Sequence, residues 1–450
     1  MKKLWMVLGL LLAMTAPAFA VDFAFHGDLK NQFRLYSNQT SFFTAGGKTY
    51  KQNLIQDDDN TDFYGALKYR LWVEAASDDG AVKGVYAIEL GALHFGDANY
   101  SKGGGGGFSG DGVNIETRWA YTDFALAGGR ARVGLMSIDI NKFLWNETVT
   151  GVDYKVSAGA GELTLGWYRG YEVVNTGDND FKDMDALYVR YNLKPAEDIK
   201  IGFFALWQTS DADTLADGET VPDFTAHQYL GKKLTGLDID LYTLGVDGGM
   251  KAGDFFANWD LMYQFGDMLE DADFGGYFAH IDLGVKLGNG KLTYTGWYAS
   301  GDDDASDDDL DAFISTDVDL TSAYSVVLFE GYTDDDYFND APYLMDKGLI
   351  FNRLAFDYKV SDKMKVGVAA LYMMTAEDIE YTSSNGAESE DKIGFEFDAY
   401  ASYKLFKSTE IGFEFGYLMA DDAMDYYEVE CDGNADEDIF VINSRIRYKF

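Results

Sequence analysis

From residue 21 onward the chain repeats one pattern, a run of about ten residues in which apolar and polar side chains alternate, followed by a break. "FAFHGDLKNQFRLY" sets Phe23, Phe25, Leu29, Phe33 and Leu35 against His26, Asp28, Lys30, Gln32 and Arg34. "FYGALKYRLWVEA" sets Phe63, Leu67, Tyr69, Leu71 and Val73 against Lys68, Arg70 and Glu74. "GYFAHIDLGVKLG", "NRLAFDYKV" and "EIGFEFGYLM" are later copies. Successive side chains of an extended backbone point to opposite faces, so a period of two predicts strands with one apolar and one polar face. Breaking the chain at its turn signals predicts eighteen strands, starting near residues 22, 62, 81, 113, 130, 151, 162, 184, 198, 236, 252, 273, 290, 348, 362, 391, 408 and 437.

The connections alternate in length. Short ones such as "SDDG", "AGGR", "AGAG" and "GNG" fall between long ones at 37–61, 96–112, 210–235, 301–347 and 421–436. That rhythm predicts an all-β, transmembrane, antiparallel up-and-down barrel with short periplasmic turns and long acidic outer loops. About eighteen strands are expected, with sixteen or twenty also compatible; an even number closes the sheet and leaves no edge for lipid to meet. A soluble multi-sheet protein would fill its apolar face mainly with Val, Ile and Leu. Here aromatics fall near strand ends, at Phe23, Trp119, Tyr121, Tyr372, Tyr417 and Tyr448, as interfacial girdles require.

Composition agrees. The 31 tyrosines and 32 phenylalanines need an apolar surface to occupy, and only 4 prolines in 450 residues suits a sheet whose N–H groups must be paired. A net charge of −40 argues against nucleic-acid binding. The opening "MKKLWMVLGLLLAMTAPAFA" reads as a secretory signal cleaved after Ala20, leaving one barrel domain at 21–450. Cys431 is the single cysteine and closes no internal disulfide.

The chain ends "FVINSRIRYKF", with Ile442, Ile446, Tyr448 and Phe450 on one face and Asn443, Arg445, Arg447 and Lys449 on the other. With the signal segment and the first strand, this last strand resembles Gram-negative outer-membrane porins, most of all the general diffusion kind. The resemblance implies passive diffusion of small hydrophilic solutes and ions through a water-filled lumen, a homotrimer, and contact with outer-membrane lipid and lipopolysaccharide. It also implies that Ile446, Tyr448 and Phe450 form the signal read by the barrel-assembly machinery. In such porins the loop after the fifth strand commonly sets the narrowest point. Here it is "SIDINKFLWNETVT", which offers Asp139, Lys142, Trp145, Asn146 and Glu147, but it is short, so another loop is an alternative.

Strand parity places Lys30, Arg34, Lys68, Arg70, Arg118, Arg132, Arg190, Arg353, Lys365, Arg445 and Arg447 on the lumen face. Glu74, Glu89, Glu116, Asp240, Asp260, Asp282, Asp398 and Glu414 are interspersed with them. The wall is thus close to charge balance, either as a cationic ladder facing an acidic loop or simply as the polar lining any wet lumen needs. The excess acid falls between Ser300 and Lys347, including "DDDASDDD" at 302–309, which reads as a solvated, flexible outer loop and predicts a modest cation preference. No cofactor is expected, beyond Ca²⁺ as the one ion such a loop would take, although its spacing is not that of an EF-hand. His26, His94, His227 and His280 have no metal-ligand spacing, "KGGGGGFSG" lacks the ending of a phosphate loop, and no nucleophile motif appears, so no enzyme is expected. The rival readings are a substrate-specific channel for sugars or carboxylates, and a structural or adhesive barrel.

Overall fold

The structure is a computed structural model that describes residues 21–38, 61–96, 115–171, 183–211, 238–268, 272–304, 309–332, 338–428, 431–435 and 437–450. The signal segment, the glycine run from Lys102 and His227 lie outside these residues.

The strands are β1 (Val21–Ser37), β2 (Thr61–Ser77), β3 (Val82–His94), β4 (Ile115–Leu126), β5 (Gly129–Ser137) and β6 (Thr148–Ala158). They continue as β7 (Gly161–Tyr171), β8 (Met184–Ala196), β9 (Ile199–Asp211), β10 (Asp238–Ala252), β11 (Phe255–Met268), β12 (Ala272–Phe274) and β13 (Tyr277–Leu287). The last six are β14 (Gly290–Ala299), β15 (Leu349–Lys359), β16 (Met364–Ser383), β17 (Gly386–Phe406), β18 (Thr409–Ala420) and β19 (Ile439–Lys449). Each pairs antiparallel with the next, and the three-residue β12 continues the line of β13 beside β11, so the wall has eighteen strands. Every strand start expected from alternation falls within five residues of an observed one.

The wall closes where β1 meets β19, in a register running from Asp28 opposite Lys449 to Tyr36 opposite Val441. At that seam Gly27 and the terminal Phe450 exchange backbone hydrogen bonds of 3.0 and 3.1 Å. A Cβ on Gly27 would lie 2.3 Å from the Phe450 ring, so the ring seats where only glycine leaves room.

The outward face is apolar around the ring, with Phe25, Phe63, Tyr86, Leu165, Leu244, Leu261, Leu354 and Phe413 exposed. Large apolar side chains left in the open on successive strands are what a lipid-facing barrel requires and a water-soluble one avoids. Among the described residues no helix is long and apolar enough to cross a membrane, which is immaterial to a chain that crosses with strands. Ile446, Tyr448 and Phe450 all lie on this face.

Two parity readings are corrected. Trp119 and Tyr121 face the lumen: Trp119 pairs with the buried Ala87 and Tyr121 with the buried Val85. A register shift between Ala87 and Ile88 inverts the alternation that reads them outward. Asp240 faces outward and accepts a 2.7 Å hydrogen bond from Trp207 Nε1. It stands seven residues from the inward Asp247 on an unbroken strand, and an odd spacing means the opposite face.

The inside departs furthest from expectation. The segment 300–348 is a solvated rim only in its acidic run, where Asp303, Asp304 and Asp309 are exposed and 305–308 lie outside the described residues. Beyond it the described parts fold into the barrel and bury Leu310, Phe313, Ile314, Val318, Leu320, Val326, Val327, Leu328 and Phe329. The 138–147 segment enters beside it and buries Ile138, Ile140, Phe143, Leu144 and Trp145. Together with Phe278, Trp297 and Phe351 from the wall they make a hydrophobic core within the lumen. Phe143 sits 4.8 Å from Phe278, and Trp297 stacks on Phe351 at 3.7 Å between ring centres. At the loop end a short 3-10 turn, Asp422–Tyr427, adds Tyr427 against Phe338.

Candidate permeation site

Two segments far apart in sequence hold one another inside the barrel. Ser315 Oγ donates to Phe143 O at 2.7 Å, Thr316 N to Leu144 O at 2.8 Å, and Asn146 N to Asp317 O at 3.0 Å. Trp145 forms a β-bridge with Asp317, and its indole packs edge-on against Tyr168.

The wall grips each of them. Asn141 Nδ2 donates to Asp260 Oδ1 at 2.6 Å, and Asp260 also holds His280, whose other ring nitrogen lies 3.2 Å from Asp282. Four to six strands further round the wall, Glu396 of β17 accepts from Ser325 Oγ at 2.6 Å and Val327 N at 3.1 Å, and Glu414 of β18 accepts from Ser322 Oγ at 3.0 Å. Gly416 lets this segment come close, since a Cβ there would stand 2.8 Å from Val326. These carboxylates replace the water that the backbone and hydroxyl donors of a buried loop would otherwise need.

The expected wall cations do face inward, but they divide into two sets. Arg34 is fully buried below Gly331, and Arg445 lies beneath the Tyr332 ring at 4.0 Å, so the segment covers both. Asp398 is fully buried as well. Arg132 pairs with Asp153, and Arg447 Nε donates to Asp28 Oδ1 at 2.7 Å. Glu74 pairs with Lys83 at 3.3 Å, while Glu116 is exposed at the loop end of β4.

The other set converges on Glu89 of β3 from the two flanking strands, β2 and β4. Lys68 Nζ lies 3.3 Å from its Oε1, while Arg118 Nη1, at 3.2 Å, and Arg70 Nε share its Oε2. Lys30 stands opposite Lys68 in register, and Glu330 of the inward segment is set among Lys30, Lys68 and Arg70. Burial pushes the Glu330 carboxyl above its ordinary range, against the pull of those three cations. Directly toward the turn end lie His26, stacked on Trp72 at 5.1 Å, and Trp119, edge-on to Trp72 at 5.9 Å. An aromatic shelf beside a cationic group is suited to a flat anionic solute.

Glu147 lies 4.0 Å from Arg118 Nη2, across from that group. Lys142 sits over the rings of Phe143 and Tyr324, and Asp139 is exposed in the lumen. Although Asp139 meets the lumen, the protein crowding round it displaces water and raises its carboxyl, with Arg190 pulling the other way. Toward the turn end these residues open onto a cavity of about 740 Å³ lined by Lys142, Arg190, Asp247 and Asp260. Arg190 is paired with Asp247 there, at 2.7 Å. Among the described residues no three His, Cys, Asp or Glu are grouped to hold a metal ion.

The sequence reading misses the inward course of 309–332. Its signal is the apolar content: "VVLF" at 326–329, with Leu310, Phe313, Ile314 and Leu320, is too much for an acidic surface loop.

No family profile and no curated protein matches the chain. Solved structures share its fold at low identity. Acinetobacter baumannii OccAB4 superposes with a TM-score of 0.55 at 9% identity, over 95% of this chain and 98% of that one. Pseudomonas aeruginosa OccK9 (OpdG) gives 0.54 at 12%, over the same shares of each chain. Pseudomonas aeruginosa OpdK, determined with vanillate, gives 0.51 at 10%, again over 95% of this chain and 98% of that one. The chain is thus similar to these proteins as a closed, eighteen-stranded antiparallel barrel.

Proposed function

We propose that this chain is a solute-selective channel of a Gram-negative outer membrane, passing small anionic solutes, carboxylates foremost, along the cationic wall between β1 and β4. The observation that carries the reading is the convergence of Lys68, Arg70 and Arg118 on one carboxylate, with Lys30 alongside, next to two inward-folded segments. An unselective diffusion pore needs a wide lumen. Here Phe143, Phe313 and Phe329 are packed dry inside the barrel, which favours the substrate-specific reading over general diffusion.

The chemistry follows from the cluster. Three cations around one carboxylate leave donor capacity and net positive charge beside the aromatic shelf, and a passing carboxylate can exchange briefly for Glu89 or Glu330 without ever leaving the cations. Weak, multiple sites of this kind favour entry without trapping. The fold shared with a protein solved with vanillate, itself an aromatic carboxylate, supports the same class.

Planar-bilayer recordings of the purified protein test this. Small steady conductance, interrupted by benzoate or another small carboxylate and not by neutral sugars, is expected. Sugar-dependent interruption without any carboxylate effect, or a large conductance indifferent to both, sinks the reading.

A further inference from the structure

The seam between the two inward segments carries a pair of acids. Glu147, at the end of 138–147, is set beside Asp319 of 309–332, two positions on from the parallel bridge between Trp145 and Asp317. The pair lies one residue past Asn146 and two past Asp317, whose backbone bond joins the segments. Two carboxyl groups bond to each other only while one holds a proton, since ionised carboxylates accept and do not donate. Asp319 is open to the lumen and Glu147 partly so, although protein surrounds both.

The charged groups around the pair come from several elements. Arg118 of β4 stands 4.0 Å from Glu147, and Thr148 N donates to Glu147 Oε2 at 3.0 Å. Lys68 of β2, and Glu330 and Asp317 of the same segment, act on Asp319. Burial, with the adjoining Asp319, pushes the Glu147 carboxyl up to about 7, while Arg118 and the Thr148 amide pull it down. Burial raises Asp319 too.

We propose that Glu147 and Asp319 form a proton-operated charge filter at the meeting point of the two segments: protonated, the pair leaves selection to the cationic wall, and ionised, it offsets that wall and admits cations. The sign follows directly. A carboxyl raised to about 7 keeps its proton below neutrality, so the passage favours anions in acid and loses that preference as pH rises through 7. The filter rests on the channel reading but not on carboxylate specificity.

The test is the reversal potential across a KCl gradient, followed from about pH 5 to about pH 9, a range that brackets both ordinary and raised carboxyl titrations. In the unmodified protein the ratio of anion to cation permeability is expected to fall several-fold, centred near neutrality. Glu147→Gln stays uncharged beside Asp319 and should hold the acid-side ratio throughout. Asp319→Asn takes the neighbouring charge from Glu147 and should move the step toward the ordinary glutamate range, about 4.3. A flat profile in the unmodified protein, or a step that both variants retain unchanged, overturns the filter. A flat profile with carboxylate interruption intact removes the filter alone, and a pH step without carboxylate interruption removes the specificity alone. A silent bilayer from folded protein removes both.

Discussion

Val327 N donates to Glu396 Oε1 at 3.1 Å, a backbone amide of the inward segment held by a carboxylate of β17. The other Glu396 oxygen takes the Ser325 hydroxyl, so one side chain satisfies two donors that would otherwise lie dry. Glu396→Leu should orphan both, at about 1–3 kcal/mol each. The segment then leaves the wall while the barrel stays closed. Single-channel recordings are expected to show a larger and noisier conductance with unchanged strand content by circular dichroism; an unaltered conductance would show that Glu396 does not hold the segment.

Gly416 tests the same contact by bulk instead of charge. A side chain there meets Val326 at 2.8 Å and Val327 at 3.0 Å. Gly416→Val should cost about 1–3 kcal/mol of overpacking unless the segment moves off. Raised conductance without loss of barrel content is the expected result, and normal conductance with a lowered unfolding temperature would mean that the wall yields first.

Glu89 offsets one charge of the cationic group from inside it. Glu89→Gln leaves Lys68, Arg70 and Arg118 without their shared carboxylate. Anion permeability should rise and carboxylate interruptions should lengthen, while the folded barrel loses about 3–5 kcal/mol, as when one partner of a buried ion pair is removed. Reversal potentials and dwell times measure the first effect and denaturant unfolding the second.

Closure at the seam depends on a ring lying over a residue without a side chain. Gly27→Leu places atoms where the Phe450 ring sits, 2.3 Å from its nearest carbon. The fraction reaching the compact, heat-modifiable form on refolding into detergent should drop, and deleting Phe450 should reproduce the defect. A variant refolding as completely as the parent would show that the ring is not needed for closure.

The wall was legible because each strand carries its own signature. Alternation is local, and a lipid-facing Phe25 or Phe413 declares itself within a few residues. Errors came where one extra residue changes parity, as for Trp119 after the shift at Ala87, since a bulge leaves no mark in composition. The interior was less legible. Whether Glu330 lies in open water or among Lys30, Lys68 and Arg70 depends on contacts 260 to 300 residues away in the chain, which no local pattern encodes. Charge counting reaches only part of the loop: Asp303, Asp304 and Asp309 are exposed as their run suggests, yet the neighbouring Phe313 and Ile314 take the rest of the chain inward.

The bond from Ser315 to Phe143 joins residues 172 positions apart, and Thr316 to Gln208 spans 108. Contacts so remote in sequence form only after the intervening strands are in place, because the entropy of closing such loops must first be met by the wall. By the same rule the seam of the wall, where Arg447 meets Asp28 across 419 positions, closes later still. The interior is therefore furnished before the cylinder is complete, and a cell inserting the protein holds no unobstructed hole in its membrane while the two segments find each other.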